Sequence, residues 1–310
     1  MRKLLFMILA AMLAQVSDAQ KGAEGYLLDS VIVETSTHIK QEKRVYEYDE
    51  KGRPTVCYTY YNRNQSGEWA LLNKEQMTYN DGDILVKDET YRWNDDTATF
   101  TLVESTEVTE FDADNGQPSI TVYSNYVSYE FARYEVKKYN GNLPEDLEIY
   151  QRDATDDEVW NLYANQHYEY DVNGNVTLAR ISIDYVGMFT LTQTVVYEYD
   201  EHGNVVKETS NIEPAELFGD EMEAESISLY QNEYDENGNV KTITRTNENG
   251  RANEFQYLYW SINDPAGING QTMLSRQTPK HFDMTGRMLP QNHRHMPGIY
   301  IQNGRKYISH

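Results

Sequence analysis

The sequence contains one cysteine, Cys57, in 310 residues. A single thiol cannot form an intramolecular disulfide, so packing and backbone pairing must stabilise the fold. Cys57 lies in a strand-like run at residues 56–60, and we expect it to be a small buried hydrophobic residue rather than a nucleophile. The sequence therefore predicts a fold without covalent cross-links.

Positive charge is also scarce, because 27 Lys and Arg stand against 50 Asp and Glu, for a formal net charge of -23. Such a chain repels the phosphate backbones of nucleic acids and the surfaces of anionic lipids. We therefore expect no nucleic-acid partner. The 26 tyrosines and 4 tryptophans argue against disorder, since disordered chains are poor in aromatic residues.

Common catalytic motifs are missing: there is no Gly-x-Ser-x-Gly, His-Glu-x-x-His, phosphate-binding Gly-rich loop or paired cysteine cluster. We predict a protein that is not an enzyme, with no catalytic, cofactor-binding or metal site residues. A glycan-acting enzyme is a less favoured alternative, because it needs only two carboxylates at the correct separation. A tight group of carboxylates in a cleft, with shifted pKa values, would favour that alternative.

Long apolar runs are limited to residues 4–13, which follow Arg2 and Lys3. The segment after this run ends in Ser17-Asp18-Ala19, with small residues at the two positions that a signal peptidase recognises. Ten apolar residues are about half of the roughly 20 that cross a bilayer. We expect residues 1–19 to be a signal peptide, so the protein is exported, and we predict no membrane span.

A repeated phrase organises the middle of the chain. An aromatic residue is followed by Asp or Asn and then, in most copies, by a nearby Gly. These aromatic positions run from 48 to 234 in six intervals, which is a mean period of about 31 residues. They are Tyr48, Tyr79, Phe111, Tyr139, Tyr170, Tyr199 and Tyr234.

The chemistry of the phrase predicts a β-hairpin. In Tyr168-Glu169-Tyr170 both rings lie on one face of a strand and the Glu lies on the other. An Asp followed three residues later by Gly favours a tight turn, because Asp accepts turn N–H groups and Gly adopts positive φ. We predict an all-β fold over residues 20–260, made of repeated antiparallel hairpins that form a long curved meander or a β-solenoid, with the aromatic ladder in its core.

The Asp and Asn residues of these turns are also calcium ligand types. Twelve residues on from Asp171 or Asp235, however, the ligand pattern of an EF-hand is not completed. The turn geometry already requires both Asp and Gly, so we interpret these residues as structural.

The phrases resemble the YD repeats of Rhs-type proteins, loosely over residues 45 to 246 and closely in four copies. The resemblance implies hairpins that stack into a long antiparallel sheet curling around a hollow.

The last part of the chain, residues 261–310, is predicted to be a linker followed by a short terminal hairpin segment. Residues 282–287 read Phe-Asp-Met-Thr-Gly-Arg, residues 297–301 read Pro-Gly-Ile-Tyr-Ile, and residues 303–306 read Asn-Gly-Arg-Lys. In order and spacing they resemble the end of the type IX secretion C-terminal sorting domain. This resemblance implies a Gram-negative bacterium, contact with the secretion machinery, and an extracellular or outer-membrane-surface location. A structural hairpin with Asn303-Gly304 as its turn, and a periplasmic location, are the alternatives.

Four histidines lie in this tail: His281, His293, His295 and His310. His293 and His295 share a strand face and have the spacing of a metal-binding pair. No Cys, Asp or Glu completes the set in their neighbourhood, so we interpret them as solvated loop residues.

These observations together predict a secreted or cell-surface, non-catalytic repeat protein that acts as a structural or binding module. The alternative is an outer-surface carbohydrate-binding protein that uses exposed aromatic residues. Its partner would be a surface glycan or a protein. Candidate contact residues are the four tryptophans near strand ends or loops, for which the sequence does not distinguish core from surface: Trp69, Trp93, Trp160 and Trp260.

Overall fold

The computed structural model describes residues 23, 25–62, 67–184, 190–213 and 225–262, together with the backbone of residues 281–282, 298–302 and 305–309. The predicted signal peptide lies outside the described residues, as do most of the predicted linker, His293, His295 and His310. The chain divides into two compact units, residues 1–263 and 264–310, which are described separately.

The first unit is built from sixteen antiparallel strands, each hydrogen-bonded to its neighbours in chain order. Their bounds are β1 Tyr26–Thr35, β2 Lys40–Tyr48, β3 Pro54–Asn62, β4 Trp69–Tyr79, β5 Leu85–Asn94, β6 Thr99–Phe111, β7 Pro118–Asn125, β8 Glu130–Asn140, β9 Leu143–Arg152, β10 Trp160–Tyr170, β11 Val176–Asp184, β12 Thr190–Tyr199, β13 Val205–Glu213, β14 Glu225–Tyr234, β15 Val240–Asn247 and β16 Ala252–Ile262.

These strands form a closed barrel, because β1 pairs with β16 in a register that sets Val31 opposite Leu258. The prediction of repeated antiparallel hairpins is confirmed, but the prediction of an open curved meander or a solenoid is wrong. Seven hairpins carry the repeated phrase, and β1 and β16 flank them without a copy of it. Sixteen strands exceed the roughly ten that an open twisted sheet tolerates, and closure removes both sheet edges.

The turns have the geometry that the repeated phrase predicts. Gly174 adopts φ +83° and donates its N–H to the carbonyl of Asp171 at 3.1 Å. The Asp171 side chain accepts hydrogen bonds from the backbone N–H of Asn173 and Asn175, and from the Asn175 amide. Each carboxylate oxygen of Asp171 is therefore engaged within the turn, and equivalent contacts occur at Asp235.

At four of the seven turns, the tyrosine before the turn is hydrogen-bonded to the part of the sheet that precedes its hairpin. Tyr48, Tyr139 and Tyr199 donate their hydroxyls to the backbone carbonyls of Leu28, Pro118 and Val176 at 2.6–2.7 Å. The rings are partly buried, in line with the predicted ladder. Phe111 is the exception: it is 43% exposed and has no hydroxyl to donate, so its placement in the core is corrected.

The core lies on the inner face of the barrel, where alternate residues of neighbouring strands pack together. Its most buried side chains include Ile149, Ile181, Ile183, Val195 and Val240. Cys57 is buried there as well, as predicted. Buried and more exposed residues alternate along β10, β11 and β12, so these strands have the two-faced character that their sequences indicate.

The second unit contains β17 His281–Phe282, β18 Gly298–Gln302 and β19 Arg305–Ser309, which form a three-stranded antiparallel sheet. β18 and β19 pair from Gln302 opposite Arg305, as the predicted terminal hairpin requires. Within the described ranges, no helix is long and apolar enough to cross a membrane.

Candidate binding surface

The barrel has two ends that differ in sequence. We call the end with the seven turns of the repeated phrase the turn end, and the opposite end the loop end. Trp69 begins β4, Trp93 lies one residue from the end of β5, and Trp160 begins β10, so all three mark the loop end. Register places their side chains on the outer wall.

Trp260 differs from the other three tryptophans. It packs against the buried cluster that includes Val31 and Val240, on the inner face. Its indole N–H donates to the carbonyl of Val240 at 2.6 Å. Trp260 is therefore a structural residue. The other three tryptophans lie on the outer wall, where a partner can contact them.

The first aromatic cluster lies on the outer wall of β4, β5 and β6. The Trp93 and Phe100 rings meet edge to face, with centroids 4.9 Å apart. The Lys74 ammonium lies 4.4 Å from the centroid of Tyr91 and 5.3 Å from that of Phe100. The outer wall therefore carries aromatic rings and a cation side by side. The π-electrons of the two rings stabilise the Lys74 ammonium in this position.

The second aromatic cluster lies on the outer wall of β8, β9 and β10. The Arg133 guanidinium lies 4.8 Å from the Tyr150 centroid and 5.3 Å from the Trp160 centroid. Arg152 lies 3.4 Å from the ring centroid of Phe131. Planar guanidinium groups stacked on rings combine an apolar surface with directed hydrogen-bond donors.

Exposed apolar side chains surround the second cluster at the loop end. The turn between β7 and β8 carries Tyr126 and Val127, 43% and 57% exposed, and Tyr129, 80% exposed. Val159, just before β10, and Leu162, near its start, are 41% and 54% exposed. Exposed apolar groups gathered near one edge are typical of interaction surfaces.

The inner face carries a carboxyl pair that the sequence analysis missed. Asp88 on β5 faces inward beside Glu75 on β4, and its Oδ1 has no hydrogen-bond partner among the described residues. Burial, together with the neighbouring Glu75, raises the pKa of Asp88 to about 8. The sequence pattern could have revealed this position. Alternate residues of a strand share a face, and Glu75 lies four residues before Tyr79, so it faces inward as Tyr79 does.

This pair is the kind of feature named above as favouring a glycan-acting enzyme, namely neighbouring carboxyls with a shifted pKa. The two groups also interact by a side-chain hydrogen bond. Carboxyls in contact share a proton, whereas glycoside hydrolysis by a nucleophile and an acid uses groups about 5–5.5 Å apart. The geometry of the pair therefore fits two carboxyls that share a buried proton better than it fits the two carboxyls of a glycoside hydrolase.

An outer-wall groove lies at the middle of β9, β10 and β11. It encloses about 290 Å³, and its lining includes Asp146, His167 and Ser182. His167 Nδ1 and Asp146 Oδ1 are 2.7 Å apart. Ser182 is hydrogen-bonded to Thr192 at 3.1 Å, so it is not oriented by the imidazole as a nucleophile would be.

Comparison with known proteins identifies no family. No protein-family model matches the chain, and no curated protein matches it. Solved structures that are similar include a porin-like protein from Bacteroides uniformis (11% identity, 76% of this chain, 98% of that chain, TM-score 0.42) and one from Bacteroides vulgatus (9%, 76%, 98%, 0.40). The Photorhabdus luminescens Tc holotoxin pore is similar over 83% of this chain and 17% of that one, at 12% identity and TM-score 0.26. Similarities of this size establish no shared function.

Proposed function

We propose that the chain is a secreted or cell-surface, non-catalytic binding module whose contact surface is the outer wall at the loop end. The observation that carries this proposal is the pair of aromatic and cation clusters around Trp93 and Trp160. Tyr, Trp and Arg are the side chains that most often dominate binding surfaces.

Ion pairs on the outer wall support the proposal that the outer surface of the barrel is in contact with water. Ion pairs join Lys87 to Glu89 at 3.0 Å and Lys137 to Glu148 at 2.9 Å, and Lys207 pairs with Glu198 on another part of the wall. Charged groups at these positions favour water over hydrocarbon. These ion pairs, the predicted signal peptide and the sorting-like tail support our proposal of an aqueous location outside the inner membrane, on the cell surface or released, with the periplasm as the alternative.

The partner we favour is a carbohydrate. Flat aromatic faces stack on the apolar faces of sugar rings, and adjacent Lys74, Arg133 and Arg152 supply hydrogen-bond donors for hydroxyl groups. The side chains are held in place by the cation contacts, which reduces the entropy lost when a ligand binds.

A glycan array with the purified chain tests this proposal. We expect binding to one or more polysaccharides, and at least a tenfold loss of affinity in Trp93→Ala or Trp160→Ala. Tyr259→Ala is the matched control, because Tyr259 is an outer-wall aromatic, 50% exposed, outside both clusters. Binding that is unaffected by either tryptophan change would overturn the assigned surface. Absence of binding to any polysaccharide would exclude the carbohydrate partner and leave a protein partner or a structural role.

A further inference from the structure

We propose that Glu145, Asp146 and His167 form a site for a divalent transition metal, Zn²⁺ in particular, on the outer wall of β9 and β10. Each side chain offers one ligand atom, and these atoms lie within 4.8 Å of one another. One imidazole nitrogen and two carboxylate oxygens are ligands that Zn²⁺ accepts.

A β-bulge brings the two carboxylates together. Lys138 pairs with Asp146 and Tyr139 with Pro144, so Glu145 is an extra residue on β9. A bulge redirects side chains, so that successive residues no longer point to opposite faces. Both carboxylates thereby reach the imidazole of His167, which lies directly across from Asp146 on β10.

The other hairpins show that this arrangement is specific to one unit. All seven hairpins have an extra residue at this point of the second strand. In the other six hairpins that residue is Thr55, Val86, Ser119, Thr177, Val206 or Lys241. The bulge therefore forms without a carboxylate at this position. Its structural role does not explain why two carboxylates, Glu145 and Asp146, follow each other here.

The site is open to solvent, which leaves room for a bound metal to complete its coordination with water. Asp146 and His167 border the 290 Å³ groove, and all three ligand residues are only partly buried. Metal–ligand distances of about 2.0–2.1 Å require ligand atoms roughly 3.3 Å apart in a tetrahedral site, so the three side chains would close in on the ion.

Neighbouring cations do not prevent this closure. Lys138 forms an ion pair with Glu145, and its side chain is 59% exposed. An exposed ion pair contributes little and is readily exchanged for a metal–carboxylate bond. Arg180, across from His167 on β11, directs its Nε toward the Thr194 hydroxyl at 3.4 Å.

Zinc titration calorimetry of the full chain tests the site. The tail histidines are removed as competitors by using a His293→Ala/His295→Ala background in every variant. We expect one Zn²⁺ per chain at pH 7.5, with at least a tenfold weaker affinity in His167→Ala and in Glu145→Thr. Glu145→Thr introduces the residue type found at the equivalent positions 55 and 177, so this variant is expected to fold.

His202→Ala is the matched control. His202 Nε2 lies 3.8 Å from Glu201, without a third ligand residue in the described part of the chain. Zinc affinity should be unchanged in this variant. Equal zinc affinity in the background chain, His167→Ala and Glu145→Thr would overturn the proposal, and so would no measurable binding by the background chain at 100-fold excess zinc.

Discussion

The hydroxyl of Tyr170 donates a hydrogen bond to the backbone carbonyl of Pro144, 2.6 Å away and at the start of the preceding hairpin's second strand. The ring thus lies in the core while its hydroxyl bonds to the neighbouring unit. Tyr48, Tyr139 and Tyr199 make the same contact in their own units. This contact favours Tyr over Phe at these four positions of the repeated phrase.

Replacing Tyr170 by Phe keeps the ring and removes the donor to Pro144. We expect a loss of about 0.5–1.5 kcal/mol in the free energy of unfolding, the usual net value of one intramolecular hydrogen bond. Urea denaturation followed by tryptophan fluorescence measures it. Tyr259→Phe should leave stability unchanged, since the Tyr259 ring is half exposed on the outer wall. An equal loss in both variants would contradict the role of the hydroxyl.

Gly174 and Gly82 occupy equivalent turns with different backbone conformations. Gly174 has φ +83°, whereas in the other turn Asp83, not Gly82, adopts positive φ. Gly174→Ala should therefore cost about 1–2 kcal/mol of unfolding free energy, because an L-residue is strained in this region. Gly82→Ala should change it by less than about 0.5 kcal/mol. Thermal denaturation of both variants checks the difference, and a larger loss for Gly82→Ala would refute the turn assignment.

Asp88 makes stability depend on pH. Its pKa is raised in the folded chain to about 8, above that of an unfolded Asp at 3.8, so the folded state holds the proton more tightly. Folding stability should then fall as the pH rises from about 4 to 8. Asp88→Asn removes this loss of stability. We expect the free energy of unfolding of the variant to exceed that of the unchanged chain by about 1–3 kcal/mol at pH 8 and to equal it near pH 3.

Denaturation curves at several pH values measure this effect. Glu169→Gln serves as the control, because Glu169 is an exposed carboxyl on the outer face of β10. Its pH profile should follow that of the unchanged chain. If Asp88→Asn also retained the full decline in stability between pH 4 and pH 8, the carboxyl pair would not be its origin.

Export predicts defined ends for the mature protein. In the native organism we expect a chain that begins near Gln20 and lacks the sorting-like tail, recovered outside the cell or on its surface. Mass spectrometry of the fractionated cells checks both ends, with a strain lacking the last 30 residues as comparison. A mature chain that retains its tail, and is equally exported without it, would contradict the sorting role and favour a structural hairpin.

The hairpins were predictable because their determinants are local. Asp171, Gly174 and the alternating Tyr and Glu residues act within a few positions of one another, so short-range patterns specify each turn and the two faces of each strand. Closure was not predictable in this way. It depends on the pairing of Val31 with Leu258, which lie more than 200 residues apart in strands that carry no copy of the phrase.

The sequence predicts which residue types form the candidate surface, but not where on the barrel they lie. The sequence singled out four tryptophans, yet only the register of the closed sheet separates Trp260, inside, from Trp93 and Trp160, outside. The proximity of Glu145 to His167, and of Glu75 to Asp88, likewise arises across strands. Motif searches along the chain do not detect such pairs, because their members are distant in sequence.

The distance between β1 and β16 tests the central claim most directly, since every assignment to an inner or outer wall depends on closure. Spin labels at Ser30→Cys and Tyr259→Cys, in a Cys57→Ala background, occupy positions that face each other across the closing pair. A closed barrel predicts a label separation below about 20 Å by electron paramagnetic resonance, since paired strands lie about 4.8 Å apart. An open sheet would separate these strands by fifteen such gaps, about 70 Å if flat, and a distance of several tens of ångströms would contradict the closed barrel.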